Sequence, residues 1–71
     1  MGNINVHEVA IKDKVLLTVT EAAAYGGVGQ NKIDEILAVP MNAENFLVMN
    51  GTRRLIKREA FRDFLLSQKA L

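Results

Sequence analysis

Four basic side chains, Arg53, Arg54, Lys57 and Arg58, stand within six consecutive positions just after the dipeptide Asn50-Gly51. Guanidinium and ammonium groups set so closely can make charge-assisted hydrogen bonds to phosphates, and the planar fork of arginine can also enter a minor groove. Thr52, between the dipeptide and the first arginine, adds a hydroxyl to the same run. A second polar group, Gln30-Asn31-Lys32, offers two carboxamides that can each donate and accept at a base edge, with a cation beside them. Chemistry of the bond-breaking kind needs a nucleophile with a base, a carboxylate pair in a cleft or a metal cluster, and none is legible. His7 has no second ligand-type residue at metal spacing and reads as a surface histidine. Asp34 and Glu35 are adjacent, so on a helix they point about 100° apart and do not share a proton; they read as solvated or as paired with basic groups of the hairpin or the C-terminal helix. Gly26-Gly27-Val28-Gly29 has a G-x-x-G spacing but lacks the Gly-Lys-Ser/Thr ending of a phosphate loop, and the strands of an RNA-clamping KH fold do not fit the chain. Those glycines read as an inter-helix turn. No enzyme and no cofactor is expected.

The elements that hold these groups can be read from pattern. Thr18 and Glu21 have the capping-box spacing, which predicts a helix from Val19 with Val19, Ala22 and Ala23 inward, ending near Tyr25 before the two glycines. After Val28 and Gly29, Ile33, Ile36 and Leu37 recur at helical spacing over Gln30 to Val39, and Pro40 stops the run. Two helices joined by a short glycine-containing turn make a helix-turn-helix candidate, with Gln30, Asn31 and Lys32 exposed on the first turn of the second helix. Residues 41–45 read as a linker. Phe46-Leu47-Val48-Met49 and Arg53-Arg54-Leu55-Ile56 then flank Asn50-Gly51 as a hairpin, with a type I′ turn expected because Asn tolerates and Gly readily adopts positive φ. Arg53 and Arg54 fall near its tip. Either the hairpin is a charged wing, or its arginines merely keep an edge strand soluble. A last helix, Arg58 to Gln68, carries Phe61, Phe64 and Leu65 as an apolar stripe and Arg58, Arg62 and Lys69 on its other face. The expected fold is α+β, a winged helix-turn-helix of three helices with a two-stranded hairpin.

Seventy-one residues, 49% apolar and 24% charged, suit one small folded domain whose core contributes on the order of 3 to 5 kcal/mol of net stability. Cysteine is absent, so neither disulfides nor a thiolate zinc site can brace it. Residues 1–14 show a weak alternation in Ile4 and Val6 and read as a mobile tail or short edge strand, leaving 15–71 as the domain. Met1-Gly2 is not a myristoylation signal, because Val6 stands where Ser or Thr is needed. No apolar run approaches a membrane span and no signal peptide is visible, so a cytoplasmic protein is expected. The net charge of +1 conceals an asymmetry: residues 1–49 hold three lysines against six carboxylates, whereas residues 50–71 hold six basic groups against two. Local concentration of this kind creates a potential that attracts polyanions.

In this order and spacing, Leu17-Thr18-Val19-Thr20-Glu21-Ala22-Ala23 with Tyr25, Val28-Gly29-Gln30-Asn31-Lys32-Ile33, and Met49-Asn50-Gly51-Thr52-Arg53 with Ile56-Lys57-Arg58 resemble the small excisionases of conjugative transposons. These are winged-helix DNA-binding proteins related to the DNA-binding domains of mercury-resistance-type regulators, and the resemblance spans Leu16 to Leu66. It implies a non-catalytic factor that binds double-stranded DNA near the ends of a mobile element, bends it, and helps an integrase choose excision. It places Gln30, Asn31 and Lys32 at the start of a recognition helix in the major groove and Arg53 and Arg54 on a minor-groove wing, with Thr52, Lys57 and Arg58 beside them. The chain departs from the family at Asp34 and Glu35, where basic residues are commoner, and at Gly26-Gly27, where a larger or basic pair is usual. Single-site affinity would then be modest, and self-association of several copies on DNA, or help from the recombinase, would make up the difference. A small transcription regulator acting at a promoter, and an adaptor that docks a protein without touching DNA, remain alternative readings of the same surface.

Overall fold

The computed structural model describes residues 10–71; the alternation around Ile4 and Val6, and His7, lie outside the described residues. The fold is α+β. After a 3-10 turn at Ile11–Asp13 come β1 (Leu16–Leu17), α1 (Val19–Gly26), α2 (Gln30–Leu37), α3 (Pro40–Phe46), β2 (Leu47–Asn50), β3 (Arg53–Lys57) and α4 (Arg58–Ser67).

Helix α1 begins where its cap dictates. The Glu21 amide donates to Thr18 Oγ1 at 3.1 Å and the Thr18 amide donates to Glu21 Oε1 at 2.9 Å, so two otherwise orphaned N–H groups are satisfied reciprocally. The helix ends at Gly27, whose φ of 69° only glycine adopts without strain. There the Gly27 amide donates to the Ala24 carbonyl and the Val28 amide to the Ala23 carbonyl, the paired bonds of a Schellman turn. Val28 packs back onto the core, as such a turn favours. Gly26 serves a different purpose from the turn role read for it. It is the last residue of α1, and a Cβ there would lie 2.8 Å from Leu65 Cδ1 and 3.3 Å from Phe61 Cε2. It lets α1 approach α4 closely.

Two expectations are corrected at Pro40. The segment read as a linker is a helix, because proline at the first helical position supplies a preset φ and lacks only an N–H that would be unpaired there anyway. Proline thus both ends α2, which stops at Leu37 short of Val39, and starts α3. Asn42 Nδ2 donates to the Ile36 carbonyl at 3.0 Å, tying the new helix to an open end of α2. Phe46, expected in a strand, closes α3. It is buried, with its ring centroid 5.7 Å from that of Phe61 and 5.5 Å from that of Phe64 in tilted contacts. The described residues therefore form four helices, one more than expected.

The sheet also gains a member. β3 lies between β1 and β2, antiparallel to both, with Leu17 opposite Ile56 and Leu47 opposite the same Ile56 on the other side. The expected two-stranded hairpin is thus a three-stranded sheet. Its turn differs too. Asn50 pairs with Arg53, so Gly51 and Thr52 form the two-residue loop, and only Gly51 has positive φ, 66°. These signs are those of type II′, with glycine at the first loop position, and not of the type I′ turn expected around Asn50-Gly51. Leu17, Ala22, Ala23, Ile33, Ile36, Leu37, Phe46, Ile56 and Phe61 make the core, with Val19, Phe64 and Leu65 packed around it.

Candidate nucleic-acid interface

Helix α2 buries Ile33, Ile36 and Leu37 and leaves Gln30, Asn31, Asp34 and Glu35 exposed. Burying one side commits the other to solvent over both turns. Gly29, at the N-cap, carries no side chain to bond the first amides of α2; its carbonyl takes the Lys32 amide at 3.1 Å, and those of Gln30 and Asn31 are left for water or an external anion. Gln30 Nε2 donates to Thr20 Oγ1 at 3.2 Å, a contact that orients the carboxamide while sparing its oxygen and its second N–H. Thr20 was not singled out by the sequence; a contact between helices ten residues apart leaves no local pattern.

In β3 the alternation of side chains puts Arg54 on the same sheet face as Ile56, and Arg53, Leu55 and Lys57 on the other. Ile56 is buried in the core, so Arg54 projects along the core-facing side of the ribbon toward α2. Its Nη2 lies 3.0 Å from Asp34 Oδ1, with both side chains about half exposed. This ion pair joins the hairpin to the exposed face of α2. Asp34 pairs with Arg54 of the hairpin, whereas Glu35 pairs neither with the hairpin nor with the C-terminal helix but with Lys32 on its own helix at 3.6 Å.

The eight candidate residues are therefore not equivalent. Gln30, Asn31, Thr52, Arg53, Arg54 and Lys57 are exposed, whereas Lys32 and Arg58 are half-buried. Lys32 and Arg54 each carry an acidic partner. Arg58 donates through Nε to the Lys14 carbonyl at 2.7 Å, and its Nη2 lies 3.7 Å from Glu59 Oε2, so this guanidinium is part of the scaffold. Lys57 shares a shallow groove with Val15, Leu16, Glu59 and Ala60. Among the described residues, Arg53 and Lys57 make no ion pair with any carboxylate. The arrangement presents amides from one helix, cations from the ribbon, and a single salt link between them. Such a surface can hydrogen-bond to bases and attract phosphates.

No protein-family profile matches the chain, and neither does any solved structure. Among the described residues no helix is long and apolar enough to cross a membrane. The excisionase from transposon Tn916 of Streptococcus agalactiae serotype V is 36% identical to the chain over 58 residues, covering 82% of this chain and 85% of that protein. Identity at that level along most of both sequences, with a fold that accommodates every quoted motif, leads to one assignment: the chain belongs to the small excisionase family of conjugative transposons.

Proposed function

We propose that the chain is a winged helix-turn-helix protein that binds double-stranded DNA and acts as an excisionase-type recombination directionality factor. In this reading α1 and α2 are the helix-turn-helix, and β2 and β3 with their turn are the wing. Gln30 and Asn31 read base edges in the major groove, and Lys32 contacts phosphate. Thr52, Arg53 and Lys57 engage the neighbouring minor groove and its phosphates, Arg54 is held by Asp34 and ties the wing to α2, and Arg58 buttresses the wing root. Bound so, the protein bends the DNA near the end of a mobile element and helps an integrase carry out excision. The family assignment supports the role. The observation that carries the reading is the Arg54–Asp34 ion pair, which draws the cationic ribbon to the exposed, amide-bearing face of α2.

Gel-shift titration against a duplex carrying the end of the encoding element tests it. Arg53→Ala is expected to weaken binding to all sequences, whereas Gln30→Ala and Asn31→Ala relax sequence choice by about 1 to 3 kcal/mol per lost base contact. Unchanged binding in all three variants refutes the interface. Excision of the element in cells with and without its integrase tests the role, and mobility of circularly permuted duplexes tests the bend.

A further inference from the structure

We propose that Asp34 limits the affinity of this interface, acting by neutralising Arg54 and so lowering attachment to DNA of any sequence. The proposal rests on the DNA-binding reading above. Two observations carry it. Asp34 lies four residues after Gln30, which puts it on the same exposed side of α2 as the proposed reading carboxamide. Its Oδ1 is also 3.0 Å from Arg54 Nη2, with side-chain exposures of 56% and 42%, so the carboxylate meets the ribbon cation where both remain open to solvent.

Attraction to arbitrary DNA grows with the number of cations facing phosphates and carries no sequence information. A carboxylate on the reading face reduces that attraction twice, by repelling phosphates itself and by occupying one edge of the Arg54 guanidinium. Base contacts from Gln30 and Asn31 are untouched by either effect. The charge withheld from every sequence therefore lowers the sequence-independent part of binding and leaves the difference made by the base contacts as it was. The same contact fixes the distance between wing and helix, so the neutralised pair also acts as a strut.

The test uses the full chain and two duplexes of equal length and composition, one carrying the element end and one with its sequence shuffled. For Asp34→Asn, affinity for the shuffled duplex is expected to rise about fivefold to tenfold at 0.1 M salt. The slope of log affinity on log salt should steepen by about 0.9, the value of one additional phosphate contact. Affinity for the element-end duplex should rise by a similar factor, so that discrimination between the two duplexes is unchanged. In Asp34→Asn/Arg54→Gln the pair is again neutral, and affinity for the shuffled duplex should return close to that of the unmodified chain. Unchanged shuffled-duplex affinity in Asp34→Asn overturns the proposal, as does a rise that persists in the double variant or one confined to the shuffled duplex. Failure of the unmodified chain to bind any duplex at low salt overturns instead the DNA-binding reading on which it rests.

Discussion

Glu21 accepts from the Thr18 amide and pairs with the Lys14 ammonium, and these contacts hold its carboxyl below the ordinary glutamate value, the Lys14 hydrogen bond contributing most and the Thr18 amide next. Desolvation opposes them and is outweighed. Because the folded-state pKa is the lowered one, the stabilisation is complete above the unfolded value of about 4.3 and disappears as pH falls through the folded value. Glu21→Gln should therefore lower stability at pH 7 by about 1 kcal/mol, from the lost Lys14 ion pair and the weaker, uncharged cap bond, and flatten the acid limb of a melting-temperature profile against pH. A steep acid limb that survives the substitution would assign it to other carboxylates. Gly26 gives a steric counterpart. Since a Cβ there already meets Leu65 and Phe61, Gly26→Val should cost about 1 to 3 kcal/mol in a denaturant titration. The capping box was legible because both its residues lie within one turn; the role of Gly26 was not, because the residues it admits are more than thirty positions away.

At the level of elements, the hairpin depends on Gly51. Its φ of 66° penalises any residue with a Cβ, so Gly51→Ala should cost about 1 to 2 kcal/mol and loosen the ribbon tip that carries Arg53. Faster amide exchange at Arg53 and Arg54 with little change in the helices is the expected signature. Asn-Gly flanked by apolar residues announced a hairpin correctly, but the register, and with it the turn type, was set by pairing Leu47 with Ile56 in the core, which no local dipeptide encodes. Helix α3 escaped detection for a related reason. Its segment has no apolar repeat, since Phe46 is its one core residue, and Pro40 carries the same letter whether it ends a helix or begins one. The two-residue β1 is too short to have a period at all; it exists because β3 offers it a partner. Within the candidate site, the exposed start of α2 was readable from the buried period of Ile33, Ile36 and Leu37. The partners of Lys32, Arg54 and Arg58 followed only from tertiary placement.

Across the whole molecule, one small core serves every element, so local damage should act globally. Leu17 is fully buried and lies opposite Ile56, and Leu17→Ala should cost about 2 to 5 kcal/mol. With net stability of only a few kcal/mol expected at this size, that loss should leave much of the population unfolded at 37 °C, seen as loss of the cooperative thermal transition by circular dichroism. A cooperative transition of undiminished midpoint would show that β1 is dispensable. Residues 14–17 also have a kinetic consequence. The Lys14 and Val15 carbonyls receive the Arg58 side chain and amide, and Leu16 and Leu17 pair with Lys57 and Ile56, so an early segment is clasped to one made some forty residues later. During synthesis the emerging chain can wind α1 and α2 but cannot seat them until that late segment leaves the ribosome. A nascent chain halted before Ile56 should thus expose Leu17 and Ile33 to chaperones and proteases, and the protein should acquire its native protection in one step, once Ile56 to Arg58 have emerged.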